Sequence, residues 1–114
     1  MEKDIFCRII EGKAPGRIIY QDDEVVAFWD SHPKAPIHIL IVPRKHITSV
    51  CELTEQDALI LGKMALAADK IARQEGIFNT GFRLVLNCGP DSGMIVSHLH
   101  MHLLGGKRLG GLVA

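Results

Sequence analysis

Three histidines alternate with apolar residues near the end of this 114-residue chain, in the run His98-Leu99-His100-Met101-His102. Side chains on an extended strand point to opposite faces with a period of two, so the pattern predicts one face of three imidazoles and an apolar face behind it. Alternate histidines would lie roughly 6–7 Å apart, a span comparable to a phosphate with its two ester oxygens. The spacing therefore indicates phosphoryl chemistry or a metal centre.

Imidazoles can act on phosphorus without a metal. A neutral imidazole with its ordinary pKa of about 6.5 is a nucleophile at neutral pH, and a second ring can protonate the leaving group. The best-placed nucleophile is His100, which has a ring on either side. Packing alone explains three inward histidines poorly, since each ring has two nitrogens that need partners.

Zinc catalysis is the competing interpretation, because two histidines separated by one residue on a strand can reach one metal ion. His38, His46 and Cys7 would be the further ligands, but the chain has neither a paired-cysteine motif nor a His-Glu motif. We therefore expect catalysis without a metal or another cofactor.

Hydrophobic periodicity and turn residues predict the elements that position this face. A short helix is expected over 4–11 and a long amphipathic helix from about 54 to 76. Strands are expected at 17–20, 24–29, 38–42, 82–87 and 96–104. An antiparallel sheet with segregated helices makes this an α+β protein, and residues 1–114 suffice for a single domain.

Composition limits the partners. Lys and Arg number 13 and balance 13 Asp and Glu, so polymeric nucleic acid is not expected, whereas a single nucleotide is. No stretch of about 18 apolar residues predicts a membrane span, and no leader is evident, so we expect an intracellular protein. Three irregularly spaced cysteines, Cys7, Cys51 and Cys88, argue against a disulfide framework and predict small buried side chains in a reducing compartment.

The triad, followed by Leu103 and Leu104, resembles the signature of the histidine triad (HIT) superfamily, His-φ-His-φ-His-φ-φ, where φ is apolar. Further blocks are similar to its Hint branch, the histidine triad nucleotide-binding proteins, in order and spacing across nearly the whole chain. These blocks are 4–6, 24–30, 35–38, 42–47, 83–87 and 103–106. The resemblance implies a five-stranded antiparallel sheet with one long and one short helix, dimerising into a ten-stranded sheet.

The resemblance also implies roles for single residues. His100 matches the family's nucleophile, which forms a covalent nucleotidyl-histidine intermediate, and the backbone carbonyl at position 98 orients its ring. His98, His102 and His38 match the histidines that support the phosphate. Asp30 matches the acid that binds the ribose hydroxyls, with an ordinary turn residue as the alternative.

The remaining matches concern the base and the phosphate. Asn87 matches an amide near the phosphate, although it would also suit a turn cap. Glycines in the loop 88–93 would let backbone N–H groups approach an anion, unless the loop is only a turn. The residues that match the purine slot are Ile5, Phe6, Ile9, Phe28, Trp29 and Leu40. All of these except Trp29 would also suit an ordinary core.

Departures from the family pattern affect three places. Met94 and Ile95 directly follow Gly93, the last residue of the loop 88–93. They occupy positions where the Hint branch usually has a glutamine and a serine, which leaves the handling of the leaving group open. Trp29 replaces a smaller ring and would stack on the base or narrow its slot.

The third departure concerns metal binding. Some bacterial relatives hold a structural zinc through Cys-x-x-Cys and two histidines, but here Asp4 takes the first cysteine position. The alternative to a metal-free protein is therefore zinc on Cys7, His46 and His98, with Asp4 as a weak fourth ligand.

These observations predict a cytoplasmic, homodimeric purine nucleoside phosphoramidase or related nucleotidyl hydrolase acting on the α-phosphate of AMP- or GMP-type substrates. Two alternatives remain open. One is hydrolysis of dinucleoside polyphosphates, and the other is a weakly catalytic nucleotide-binding or scaffold protein, which Met94 and Ile95 favour. The apolar stripe of the 54–75 helix, with Ala65, Ala67 and Ala68, would serve either the dimer or the domain's own core.

Overall fold

The structure is a computed structural model that describes residues 4–111. Its five strands form one antiparallel sheet in the order β1-β2-β3-β5-β4. The elements are α1 (Ile5–Ile10), β1 (Ile18–Gln21), β2 (Val25–Trp29), β3 (Ile37–Pro43), α2 (Ala58–Gln74), β4 (Phe82–Leu86) and β5 (Met101–Gly105). The predicted α+β fold, with one long and one short helix on a five-stranded antiparallel sheet, is confirmed.

Alternation along the strands divides the apolar residues between the two faces of the sheet. One face packs against α2 and includes Leu99, Met101 and Leu103. The other face packs against α1. We call the buried residues of this contact the α1 cluster: Phe6 and Ile9 from α1, and Val26, Phe28, Leu40 and Val42 from the sheet. The apolar side of the histidine run therefore faces α2, as the period of two requires.

The strand that carries the triad is shorter than predicted. It was expected over 96–104, whereas β5 begins at Met101. Its neighbour β3 ends at Pro43, which has no backbone N–H to continue the ladder. Leu99 instead donates its N–H to the carbonyl of Ile47, at 2.6 Å. Only His102 lies on the strand, while His98 and His100 lie in the segment that leads into it.

The long helix α2 packs against the sheet of the same chain. Thr54 and Asp57 form a capping box at its start, and the helix buries Met64, Ala67 and Ala68 against the sheet. Ala67 and Ala68 of the stripe thus serve the domain's own core, whereas Ala65 is only half-buried. Two leucines of α2 remain on the surface, Leu59 at 75% and Leu66 at 62% exposure. None of the helices within residues 4–111 is long and apolar enough to cross a membrane.

A disulfide joins Cys51 to Cys88, contrary to the prediction of unpaired cysteines. Cys7 is the free thiol among the described residues. An odd count and irregular spacing argue against a network of bridges, but they do not exclude one pair that the topology brings together. Cys51 lies in an exposed 3-10 turn, Val50–Glu52, and Cys88 follows β4.

Candidate active site

The ring of His100 is fixed on one side and accessible on the other. Its Nδ1–H donates to the carbonyl oxygen of His98 at 2.6 Å, as the resemblance implied. The ring also meets the edge of Phe6 at 5.1 Å and of His102 at 5.0 Å, measured between centroids. His100 is 7% exposed. Among residues 4–111 no hydrogen bond to its Nε2 is found and no fully buried side-chain nitrogen lacks a partner, so Nε2 is not completely buried. In the neutral ring this nitrogen carries the free lone pair.

A chain of hydrogen bonds sets the proton positions on the next two rings. The backbone N–H of Lys34 donates to Nδ1 of His38 at 3.0 Å, so a neutral His38 must carry its proton on Nε2. That Nε2–H donates to Nδ1 of His102 at 2.9 Å. His102 therefore carries its own proton on Nε2, where it is available to a ligand.

The electrostatics keep both rings neutral. Burial lowers the pKa of His38, and the charge of Asp30 opposes that shift. Burial, together with the neighbouring His100 and His38, lowers the pKa of His102 to about 4. At neutral pH, His102 is thus a neutral hydrogen-bond donor rather than an imidazolium.

Asp30 follows β2 directly in the sequence and lies beside His38, at one end of this series of hydrogen-bonded histidines. One carboxylate oxygen accepts from the backbone N–H of His32 at 2.8 Å, and the other lies 3.4 Å from Nε2 of His38. The first contact is the turn interaction that the sequence offered as the alternative. The two roles are compatible, because the turn fixes the carboxylate beside the histidine pair and leaves it partly exposed.

The side chain of His98 does not have the position predicted for it, which was beside the phosphate. Its ring is fully buried, with Nε2 donating to the carbonyl of Pro43 at 3.1 Å and Nδ1 lying 3.2 Å from Oδ2 of Asp4. Burial lowers the pKa of His98, although the Pro43 carbonyl opposes the shift. Both nitrogens are engaged with protein groups, so the side chain does not support a phosphate directly. Its contribution to the site is the backbone carbonyl that orients His100.

The same ring belongs to a cluster of metal-ligand side chains. Sγ of Cys7 lies 3.4 Å from Nδ1 of His46 and 3.5 Å from Nδ1 of His98. Oδ2 of Asp4 lies 3.1 Å from the same nitrogen of His46. Tetrahedral zinc, bound at about 2.0–2.3 Å by each ligand, would separate its ligand atoms by roughly 3.3–3.5 Å. The four side chains therefore fit a zinc ion.

Most of the predicted slot residues meet in the α1 cluster. Phe6, Ile9, Phe28 and Leu40 are buried together there, and Phe6 contacts the ring of His100. Ile5 is 44% exposed on α1. Val26 and Val42, which the sequence reasoning missed, complete the cluster, and strand alternation from Phe28 and Leu40 would have found them.

Trp29 is not part of this cluster. It follows Phe28 on β2 and so points to the opposite face, where it packs against the core beneath α2. The guanidinium of Arg17 lies 4.9 Å from its ring centroid. The prediction that Trp29 lines the purine slot is therefore corrected by the period of the strand.

The predicted phosphate loop approaches His100 from β4. Leu86 pairs with Met101 as the last pair of the two strands, and Asn87 follows directly after it, with half-buried exposure. The loop beyond contains a 3-10 turn, Pro90–Ser92, between two glycines with positive φ, Gly89 and Gly93.

The two residues that depart from the family pattern follow this turn. Met94 is half-buried and Ile95 is 93% exposed. The structure shows no contact between Ile95 and the triad rings.

The arrangement defines a class of protein. The site presents an oriented imidazole lone pair, a neutral imidazole donor and a carboxylate beside an apolar cluster. This arrangement suits nucleophilic attack on the phosphorus of a small phosphate ester or phosphoramide that carries an aromatic group.

Comparison with known proteins agrees with this class. A family model of the HIT domain matches residues 11–109. The chain is 47% identical over 113 residues to a purine nucleoside phosphoramidase of Escherichia coli (strain K12), with 99% of this chain and 95% of that protein covered. The chain therefore belongs to the histidine triad (HIT) family, which confirms the resemblance seen in the sequence.

Two solved structures have the same fold. A histidine triad protein from Clostridium difficile matches with a TM-score of 0.94 and 43% identity, covering 98% of this chain and 99% of that one. A HIT family hydrolase from Clostridium thermocellum matches with a TM-score of 0.95 and 44% identity, covering 100% of this chain and 99% of that one.

Proposed function

We propose that this protein is a hydrolase of purine nucleoside phosphoramidates, acting at the α-phosphate of AMP- or GMP-type substrates. The observation that carries the proposal is the fixed ring of His100, with Nδ1–H bound to the His98 carbonyl and Nε2 accessible. The 47% identity to a purine nucleoside phosphoramidase supports the substrate class.

The reaction would proceed in two displacements at phosphorus. Nε2 of His100 forms a bond to the α-phosphorus while the P–N bond breaks, and the departing amine keeps the electron pair and takes up a proton from water. A water molecule then attacks the phosphorus, the bond to His100 breaks, and the nucleoside monophosphate is released. Splitting one difficult step into two lowers the barrier of each.

The neighbouring groups would bind the substrate. His102 Nε2–H donates to a phosphate oxygen, because its Nδ1 already accepts from His38. Asn87 donates to the same phosphate from the end of β4, and Asp30 accepts from the ribose hydroxyls. The purine lies against the α1 cluster with Ile5 at its exposed edge. In the loop from Gly93 to Ile95, the N–H of Gly93 donates to the Pro90 carbonyl and that of Met94 to Oγ of Ser92, so the backbone N–H of Ile95 is the group offered to the phosphate.

A comparison of substrates tests this proposal. Adenosine 5'-phosphoramidate should be hydrolysed at least tenfold faster, in kcat/KM, than a diadenosine polyphosphate at equal concentration. Product analysis by chromatography separates the two activities. Faster turnover of the diadenosine substrate would make the protein a dinucleoside polyphosphate hydrolase, and AMP binding without turnover would make it a binding protein.

We further propose that the active form is a cytoplasmic homodimer in which two sheets join through β4. This strand is one of the two edge strands of the sheet, and β1 is the other. Its leucines Leu84 and Leu86 are 40% and 36% exposed, and α2 packs against β1, β2 and β3 rather than over β4. A second copy would pair the free edge and cover this apolar surface.

Sedimentation measures the oligomeric state directly. We expect a dimer for the native protein and a monomer for Leu84→Lys, because a charge would be buried at the new interface. Lys107→Glu, on an exposed residue outside β4, is the control and should remain dimeric. A native protein that stays monomeric at micromolar concentration would contradict the proposal.

The geometry also favours the structural zinc alternative over a metal-free protein, and we propose zinc on Asp4, Cys7, His46 and His98. Because His98 Nε2–H binds the Pro43 carbonyl, its Nδ1 holds a lone pair that faces the carboxylate of Asp4 at 3.2 Å. Two acceptors at that distance need a cation or a proton between them. Oδ1 of Asp4 already caps α1 through the N–H of Cys7, which leaves Oδ2 for the metal. A bound ion would tie α1 to the triad segment.

Removing the metal tests the zinc proposal. We expect one zinc per chain by elemental analysis, and a free-energy loss on chelation of about 4 kcal/mol if zinc is present at a thousandfold excess over its Kd. Cys7→Ser should abolish the effect, whereas Asp4→Cys should bind zinc more tightly, since zinc prefers thiolate to carboxylate. Thermal unfolding with and without chelator reports the change, and a native protein whose Tm does not respond to zinc would refute the site.

A further inference from the structure

We propose that the Cys51–Cys88 disulfide is a redox-controlled clamp on the phosphate side of the active site. Its oxidised form would hold Asn87 and the segment 88–97, which we call the triad loop, in the arrangement that binds phosphate. Reduction would release them. This inference rests on the proposed function, because it concerns the loop expected to bind the substrate phosphate.

The bridge lies where the pairing of the sheet stops. β4 and β5 pair up to Leu86 and Met101, and Asn87 and Cys88 are the first two residues of the chain beyond this last pair. Leu99 is bound through its N–H to the carbonyl of Ile47. Cys51 follows four residues after Ile47. The segment 47–51 is therefore linked to the chain on both sides of the triad loop, through the disulfide to Cys88 and through the hydrogen bond to Leu99.

Apart from the contact of Cys88 with Ser49 and the packing of Val96, the restraints on the triad loop are local. Ser92 donates to the carbonyl of Gly89 from Oγ at 2.6 Å and from its N–H at 3.2 Å, and Met94 N–H donates to Oγ of Ser92 at 3.3 Å. Within the part of the chain that the structure describes, every hydrogen bond made by residues 89–95 stays inside that stretch. Val96 is the next residue to pack on the body of the protein, against the α1 cluster. The covalent link at Cys88 is therefore the anchor at the start of the loop.

The two sulfurs differ in access. Cys51 is exposed and Cys88 is half-buried, with the buried hydroxyl of Ser49 at 3.5 Å from its Sγ. A small thiolate can therefore attack Sγ of Cys51, and the electron pair of the S–S bond goes to Sγ of Cys88, where the Ser49 hydroxyl can donate to the new thiolate. A second thiolate attacks the added sulfur, releases Cys51 and leaves as the small-molecule disulfide. Two thiols are oxidised, and the two cysteines take up two electrons and then two protons.

The effect should appear in substrate binding. Fixing the backbone of one additional residue costs about tenfold in affinity, and a released loop must be reordered around the phosphate. We expect KM for adenosine 5'-phosphoramidate, and Kd for AMP, to rise about tenfold on reduction, with kcat changed less than about twofold because His100 and His102 keep their partners. A purely structural bridge would change the Tm and leave KM unaltered.

The experiment compares the oxidised protein, the protein treated with a phosphine reductant, and the double variant Cys51→Ser/Cys88→Ser. Intact mass, which differs by two hydrogens, verifies the redox state. The double variant should match the reduced protein in KM and should not respond to the reductant, which controls for effects on Cys7. Hydrogen exchange of residues 88–97 should accelerate on reduction without any nucleotide present.

The outcomes separate this inference from the proposed function. Equal KM and equal exchange of the triad loop in the two redox states would overturn the clamp while phosphoramidate hydrolysis stands. Absence of the disulfide after air oxidation would overturn it as well. If no state hydrolyses the phosphoramidate or binds AMP, the proposed function fails, and the hydrogen exchange alone decides whether the disulfide restrains the loop.

Discussion

Replacing His100 by alanine should lower kcat for phosphoramidate hydrolysis by about four orders of magnitude, because the variant has no group to form the covalent intermediate. The loss is expected in kcat rather than in KM, since the α1 cluster, Asp30 and His102 would still bind the nucleotide. The structure supports this division, because within residues 4–111 the His100 side chain makes a single hydrogen bond, to the His98 carbonyl.

Rapid-quench intact mass of the native protein with adenosine 5'-phosphoramidate gives the positive form of the same result. We expect a transient adenylyl adduct, and peptide mapping should locate it on His100. His32→Ala is a matched control, because within residues 4–111 the exposed side chain of His32 is hydrogen-bonded to Ser31 alone, and alanine keeps the backbone N–H that binds Asp30, so kcat should be unchanged. An adduct that maps to another residue, or a His100→Ala protein that retains a tenth of the native kcat, would contradict the nucleophile assignment.

The features that depend on periodicity could be predicted from the sequence. Alternation in the run from His98 to His102 correctly separated the imidazole face from the apolar face, and the same rule extends to β2, where Phe28 and Trp29 face opposite ways. The resemblance alone predicts Trp29 in the purine slot, but the alternation rule turns its side chain to the face opposite Phe28. The resemblance also predicted the His98 carbonyl as the partner of His100.

Other features depend on contacts between distant parts of the chain, and no local pattern encodes them. The separation of Cys51 and Cys88 is 37 residues, and their pairing depends on the sheet topology: β3 and β4 both run antiparallel to β5, which lies between them, so both strands end at the same end of the sheet. The ring of His98 is likewise engaged by Pro43 and Asp4, far away in sequence. A histidine's position in a motif therefore did not reveal which of its atoms faces the substrate.

The chain should lose stability on acidification through His102. Its pKa is about 4 in the folded protein and about 6.5 when unfolded, so the unfolded chain binds more protons in this range. The stability contributed by keeping this ring neutral is complete above pH 6.5 and is lost as the pH falls towards 4. A shift of about 2.5 pKa units corresponds to about 3 kcal/mol of unfolding free energy.

Denaturant unfolding of the native protein and of His102→Gln between pH 7 and pH 4 measures this contribution. Carboxylates elsewhere titrate in both proteins, so the difference between the two curves isolates the imidazole. We expect the native protein to lose about 3 kcal/mol more than His102→Gln over this range. Glutamine keeps a side-chain acceptor for His38 without a titrating ring, and burial is the main cause of the lowered pKa. Parallel curves would show that folding does not lower the pKa of His102. The assignment of His102 as a buried neutral donor at the phosphate would then be contradicted.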